Sequence, residues 1–284
     1  MAHIIDGNEI SARIRGGIAS RVKSLREQTG VSPGLAAVLV GDDPASEIYV
    51  ERKTRACEEV GIYSEELRLS SGTTERELLK EIERLNADPK IHGILVQLPL
   101  PPAISETAVL SAVSPRKDVD GFHPENMGML MEGSPRFISC TPYGIMEMID
   151  HLEIDVEGMD IVIVGRSNIV GKPVAAMLLN RDATVTVCHL CTKNLADFTR
   201  SAEILIVAIG CSRFITGDMI REGAVVIDVG INRDKNGKIT GDVDFESASR
   251  KCSYITPVPG GVGPMTITML LKNTLAAAEM ALGD

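Results

Sequence analysis

Two groups of residues have types and spacings that chemistry can use. Ser46, Tyr49 and Lys53 stand at i, i+3 and i+7 of a stretch that reads as helix from Ser46 to Val60, which puts all three on one face. Gln97 closes the apolar run that starts at His92, at a strand's carboxyl end, where sites of α/β proteins assemble. A lysine beside an apolar wall, with a tyrosine hydroxyl and an amide next to it, could have a lowered pKa and shuttle protons. Spacing alone also allows an ordinary exposed helix face with the tyrosine shielding the core. The second group is Gly165-Arg166-Ser167-Asn168-Ile169-Val170-Gly171-Lys172-Pro173, directly after Ile161-Val162-Ile163-Val164. It reads as a strand, a phosphate-binding turn and a helix start. The usual dinucleotide fingerprint has a second glycine facing the pyrophosphate, and about 20 residues on an acid that holds a ribose hydroxyl. Here Ser167 replaces that glycine, Arg166 follows the first one, and Thr184-Val185-Thr186-Val187-Cys188 ends in His189 with no carboxylate. A carboxylate would repel a 2′-phosphate and an arginine grips one bidentately, so the loop favours NADP over NAD. Glycine turns that bind nothing are the alternative.

The elements that must hold these residues follow from pattern. After the loop, Ile204-Leu205-Ile206-Val207-Ala208-Ile209-Gly210 and Ala224-Val225-Val226-Ile227-Asp228-Val229-Gly230 are short β-branched runs ending in glycine, with helical stretches at Val174 to Asn180 and Asn194 to Ser201. Continuous apolar runs fit strands buried on both faces of a parallel sheet, and the alternation is that of a doubly wound domain. Its ligand would sit at the strands' carboxyl ends, where Gly165, His189, Gly210 and Gly230 fall. The first half has its own rhythm: helix from Glu9 to Thr29, strand Gly34 to Val40, the Ser46 helix, strand Glu66 to Leu69, helix Thr74 to Asp88 and strand His92 to Gln97. Prolines at 99, 101 and 102 end that last strand. The fold class is therefore α/β with two α/β domains, the C-terminal one a Rossmann-like doubly wound parallel sheet, and a cleft between them.

Composition bounds the function. The 284 residues carry a net charge of -10, which offers no global attraction to nucleic acid. No apolar run is long enough to span a membrane and Met1 to Asp6 lacks the start of a signal peptide, so a cytoplasmic enzyme without membrane or nucleic-acid partners is expected. The six cysteines are scattered and read as reduced thiols; Cys188-His189-Leu190-Cys191 resembles half a metal site but has no second pair, so no metal is expected. Two loops invite a ligand. Lys117-Asp118-Val119-Asp120-Gly121-Phe122-His123-Pro124 sets an aspartate where it could hydrogen-bond an amidine-like ring edge, or where Asp120 simply satisfies its own turn. Thr256 to Thr266 mixes φ-fixing prolines with glycines that permit close backbone approach. A long apolar helix from Thr266 to Leu282 follows, expected to be buried between the two halves.

Six motifs in order carry a family resemblance over nearly the entire chain: Ser46 to Lys53 with Ala56-Cys57 and Gly61-Ile62, Gly93 to Pro101, Lys117 to Phe122, Cys140-Thr141-Pro142, Gly165 to Pro173, and Pro257 to Thr266. The sequence resembles the bifunctional methylenetetrahydrofolate dehydrogenase/methenyltetrahydrofolate cyclohydrolase family. That resemblance implies NADP-dependent oxidation of 5,10-methylenetetrahydrofolate to the methenyl form and its hydrolysis to 10-formyltetrahydrofolate. It implies Lys53 for the hydrolytic proton transfers, Tyr49 to stack on and orient the folate, Gln97 to tune the lysine, and Ser46 on the same catalytic face. Asp120 would grip the pterin ring and the loop holding Pro257, Gly260 and Gly261 would touch the folate. Gly165, Arg166, Ser167, Gly171, His189, Thr192, Gly210, Gly230 and Ile231 would hold NADP, with Arg166 and Ser167 at the 2′-phosphate. Leu190 departs from a usual serine, Ser139 from a proline, Arg55 from a lysine and Met129 from a basic residue. A homodimer is implied. Residues 1–140 are expected to form the folate domain, 141–264 the NADP domain, and the helix 265–284 to pack back on the first. The rival readings are another two-domain NADP enzyme, such as a shikimate dehydrogenase, and a nucleotide-binding scaffold without activity.

Overall fold

The computed structural model describes residues 1–233 and 237–283. In chain order its elements are β1 (His3–Ile4), α1 (Gly7–Thr29), β2 (Gly34–Val40), α2 (Pro44–Val60), β3 (Tyr63–Leu69), α3 (Glu75–Ala87), β4 (Gly93–Val96), α4 (Glu106–Ala112), α5 (Pro124–Met131) and α6 (Cys140–His151). There follow β5 (Asp160–Val164), α7 (Gly171–Leu179), β6 (Thr184–Cys188), α8 (Leu195–Thr199), β7 (Ile204–Val207), β8 (Val225–Asp228), β9 (Asn232–Arg233), β10 (Ile239–Thr240), α9 (Phe245–Ala248), β11 (Tyr254–Ile255) and α10 (Val262–Gly283). The chain divides into two compact units, Arg13–Cys140 with Ile267–Asp284, and Met1–Ala12 with Thr141–Thr266.

The first unit is built on a parallel sheet in the order β3-β2-β4. β2 is buried along its whole length because it is the central strand, and apolar residues at every position fit a sheet covered on both faces. Ala36, Val38, Val40, Ile94 and Val96 pack with Leu78, Ile82 and Leu85, the inward stripe of α3. A fully buried side chain of this kind is worth roughly 1.5–3 kcal/mol. α3 starts with a capping box between Thr74 and Glu77, the Thr-x-x-Glu signature visible in the sequence. β3 begins at Tyr63, three residues before the apolar alternation suggests, because an edge strand facing solvent needs no apolar run.

The second unit carries a six-stranded parallel sheet in the order β1-β11-β8-β7-β5-β6. From β5 the chain goes outward to β6, then crosses back to β7 on the other side, which makes the carboxyl ends of β5 and β7 the topological switch point where α/β sheets bind ligands. β5, β7 and β8 contribute buried runs of valine and isoleucine to one core. The N-terminal twelve residues differ from the expected division at residue 140. β1 pairs with β11, and the Ile5 N–H reaches the Ile255 carbonyl at 2.9 Å, so backbone hydrogen bonding ties the start of the chain to the six-stranded sheet. α10 begins at Val262, four residues before the expected Thr266, since a proline in a helix's first turn forfeits no hydrogen bond and Pro264 sits there. Asp284, the last residue of the expected helix, lies outside the described residues.

Candidate active site

α2 is aimed by its own start. Asp43 accepts the Ser46 N–H at 2.8 Å, Pro44 fixes the first turn, and Gly61 at φ 82° ends the helix. This presents Tyr49 and Lys53 half-buried, with Ser46 buried a turn earlier. β4 brings the partner, because the Gln97 N–H continues its ladder to the Val38 carbonyl at 2.9 Å and leaves the side chain beyond the strand end. Lys53 Nζ donates to Gln97 Oε1 at 3.0 Å. Gln97 Nε2 in turn donates to the Leu98 carbonyl at 2.7 Å, which fixes the amide with its oxygen toward the lysine.

The turn after α4 supplies the acid. Asp118, not Asp120, satisfies the turn: its buried carboxylate accepts the Phe122 and His123 N–H groups at 3.1 and 2.8 Å and the Asn126 amide at 2.8 Å. Lys117 is consumed as well, donating to the carbonyls of Leu85 and Asp88 at 3.1 and 2.8 Å at the end of α3. Gly121 has φ 73°, and a Cβ there would stand 2.6 Å from the Ser139 nitrogen, so the chain doubles back tightly. Ser139, in place of the family's usual proline, donates its hydroxyl to the Gly121 carbonyl at 2.9 Å. Asp120 is thereby freed from holding the turn. Asp120 is half-buried, and desolvation of its carboxyl pushes its pKa up to about 6 against the opposing pull of the Lys53 ammonium, with Asp118 adding a smaller upward push. The buried Cys140 thiol, also beside Asp120, is driven well above its usual value by burial and that carboxylate. Behind it Asn273 of α10 donates to the carbonyls of Val119 and Ile138 at 2.8 and 2.9 Å. Lys53, Gln97, Tyr49, Ser46 and Asp120 all belong to the first unit.

In the second unit the loop after β5 is shaped by what its glycines lack. A Cβ on Gly165 would lie 2.2 Å from the Ala208 oxygen at the end of β7, and one on Gly171 would lie 2.2 Å from the Gly165 oxygen. The start of α7 thus sits directly on the loop, the close approach a phosphate-binding turn requires. Ser167 Oγ accepts the N–H groups of Val170 and Gly171 at 3.1 and 3.4 Å and caps this turn. Arg166 is exposed and has no ion-pair partner among the described residues, so its guanidinium is available to an anion. After β6 a second tight turn closes: the His189 N–H donates to Thr192 Oγ1 at 2.9 Å, and His189 Nδ1 accepts the Cys191 N–H at 3.2 Å. Leu190 stands exposed there. Among the described residues no group of three or more His, Cys, Asp or Glu is placed to hold a metal ion.

Gly210, Gly230 and Ile231 follow β7 and β8, and here two residues escaped the sequence reading. Asp242 accepts the Ile209 and Gly210 N–H groups at 2.7 and 2.9 Å, and Asp228 accepts the Gly230 N–H at 2.9 Å. All three N–H groups turn inward, so none is offered to a phosphate. The signal lay in the Gly-Asp pair at 241–242, which looks like turn composition until Asp228 is seen beside it. The Pro257 to Gly261 loop also belongs to the second unit, whereas the residues grouped with it by expected ligand belong to the first. Gly261 packs on the N-terminal segment, since a Cβ on Gly7 would stand 1.8 Å from the Gly261 oxygen. Gly260 takes φ 106°, open only to a residue without a side chain.

Comparison with known proteins divides the chain in sequence order. Residues 5–120 match the family model for the tetrahydrofolate dehydrogenase/cyclohydrolase catalytic domain, and residues 139–282 match that for the NAD(P)-binding domain of the same family. The bifunctional protein FolD of Moorella thermoacetica is 60% identical over 278 residues, covering 98% of this chain and 99% of that protein. The crystal structure of the bifunctional FolD dehydrogenase/cyclohydrolase from Campylobacter jejuni is similar with a TM-score of 0.96 at 52% identity, over 99% of both chains. The Trypanosoma brucei dehydrogenase-cyclohydrolase, solved with NADP and an inhibitor, has a TM-score of 0.96 at 38% identity, over 100% of this chain and 99% of that one.

Proposed function

Since the chain belongs to the tetrahydrofolate dehydrogenase/cyclohydrolase family, we infer that it oxidises 5,10-methylenetetrahydrofolate to 5,10-methenyltetrahydrofolate with NADP and hydrolyses that product to 10-formyltetrahydrofolate. The observation that carries the hydrolytic half is the Lys53 Nζ to Gln97 Oε1 contact at 3.0 Å. Water adds to the cationic methenyl carbon, its oxygen gives up both protons as the formyl carbonyl forms, and a ring nitrogen takes up one of them as its bond to that carbon breaks while the other is released to solvent. Lys53 Nζ is the group that moves these protons. Gln97 holds it in place through an amide that the Leu98 bond keeps from flipping. Tyr49 stacks on and orients the folate, Ser46 supports that face of α2, and Asp120 receives the paired donors of the pterin edge. Pro257, Gly260 and Gly261 offer the folate a close backbone surface.

Bound NADP supplies the hydride acceptor. What supports its site is the close backbone packing at Gly165 and Gly171, an Arg166 without an ion-pair partner among the described residues, and the missing acid after β6. Arg166 and Ser167 meet the 2′-phosphate, while His189, Thr192, Gly210, Gly230 and Ile231 line the strand ends. A homodimer is supported by β6, an edge strand hydrogen-bonded only to β5, with Val187 and Leu179 exposed; sedimentation equilibrium giving only the monomer mass would refute it. A cytoplasmic location is supported by six free cysteines.

The test is Lys53→Met. Methenyltetrahydrofolate hydrolysis should fall by roughly 10²–10⁴, the usual worth of a positioned acid–base group, while NADP-dependent oxidation survives in part. Hydrolysis at the wild-type rate would remove Lys53 from the mechanism.

A further inference from the structure

The six-stranded sheet holds two carboxylates that the reaction does not use. Asp242 is fully buried and Asp228 is 4% exposed. They are stacked through backbone: Asp228 Oδ1 accepts the Asp242 N–H at 2.9 Å, and its Oδ2 accepts the Val243 N–H at 2.9 Å. The fit is tight enough to dictate two glycines. A Cβ on Gly241 would lie 1.8 Å from Asp228 Oδ2, and one on Gly230 would lie 2.3 Å from the Asp242 carboxyl carbon. Gly230 is therefore required by Asp242 before any cofactor is considered.

Asp242 spends its own oxygens on two different loops. Oδ2 gathers the Ile209 and Gly210 N–H groups after β7, and Oδ1 accepts the Asn232 amide at 2.8 Å after β8. Its own strand segment is locked, since the Ile215 N–H donates to the Asp242 carbonyl at 3.0 Å. We propose that Asp242 is a positioning residue for NADP, tying the loops that follow β7 and β8 into one arrangement so that Gly210, Gly230 and Ile231 face the cofactor. The proposal rests on the reading that those three residues touch NADP. A buried carboxylate suits this role because three donors converge on it from two loops, and no neutral side chain of that size has the acceptors to satisfy all three.

The experiment measures NADP binding by calorimetry in Asp242→Ala, with hydrolysis of methenyltetrahydrofolate in the absence of NADP as the control reaction. Losing a buried acceptor should raise the Kd roughly tenfold, raise the NADP KM in parallel, and leave the control within twofold. Asp242→Asn keeps an oxygen for Ile209 and Gly210 and should recover part of the loss. An unchanged Kd in folded Asp242→Ala, or hydrolysis falling in step with NADP binding, overturns the proposal. If Asp242→Ala does not fold, Asn232→Ala decides, since it cuts only one link: a Kd rise of a few-fold supports the tie and an unchanged Kd refutes it. Amide exchange of the wild type keeps the underlying reading separate. NADP should protect residues 209–211 and 230–232, and no protection there would sink the assignment of the loops to the cofactor, whatever Asp242 does.

Discussion

Asp120 in the first unit and Asp228 in the second both carry carboxyls whose pKa burial raises to about 6, yet their charges are met in different ways. The charge on Asp120 is offset chiefly by one ammonium, that of Lys53. The charge on Asp228 is offset by three backbone N–H groups, those of Gly230, Asp242 and Val243, which occupy both of its oxygens. A carboxylate facing one cation keeps acceptor capacity to spare, whereas one saturated by backbone can only hold the chain. The same titration behaviour thus marks a carboxyl with acceptor capacity to spare in one unit and a joint in the other.

The comparison breaks most visibly at the cofactor. Arg166 is the nucleotide unit's counterpart of Lys53, an available cation, but on an exposed loop with a backbone-built site beneath it. Arg166→Ala should weaken NADP by roughly tenfold or more, about 1.5–3 kcal/mol for a charge-assisted contact, and leave NAD almost untouched. Steady-state kinetics with each cofactor at saturating methylenetetrahydrofolate read this directly. If both cofactors suffer equally, the guanidinium does not read the 2′-phosphate and the two units differ less than their geometry suggests.

Legibility in the sequence divides along the same line. Side chains that the fold groups on one element were legible from type and spacing: Ser46, Tyr49 and Lys53 on α2, and Gln97, which Lys53 contacts, at a strand end. Where backbone does the work, sequence showed the glycines at 165 and 171 but not the carbonyls packed against them. Asp242 lies more than thirty residues from the N–H groups it binds, and nothing local announces such a pairing. Asp118 and Asp120 are two positions apart and chemically alike; only the folded turn shows that Asp118 is consumed and Asp120 is not. The backbone pairing at the start of the chain was hidden for a related reason. β1 is two residues long, and its place in the six-stranded sheet depends on β11, some 250 residues away, so no periodicity could reveal it.

The smallest expected effect tests whether the two carboxyls differ in use while agreeing in electrostatics. A carboxyl with a folded pKa of about 6 against 3.8 when unfolded binds more protons in the native state, so its contribution to stability is full below about pH 4 and declines as pH rises to about 6. The wild type's advantage over Asp120→Asn, and over Asp228→Asn, should therefore shrink by ~1–3 kcal/mol between pH 4 and pH 7, seen in urea unfolding across that range. Both variants should show this same slope, because burial is its first cause in both. Ligand binding should then separate them: Asp120→Asn loses folate affinity and keeps NADP, while Asp228→Asn, with an NH₂ now facing one of three N–H donors, loosens NADP and keeps folate. Matching slopes with matching ligand losses would mean that the two carboxyls act only through global stability. Different slopes would mean that the Lys53 ammonium dominates at Asp120, and that its carboxyl is already ionised when the folate arrives.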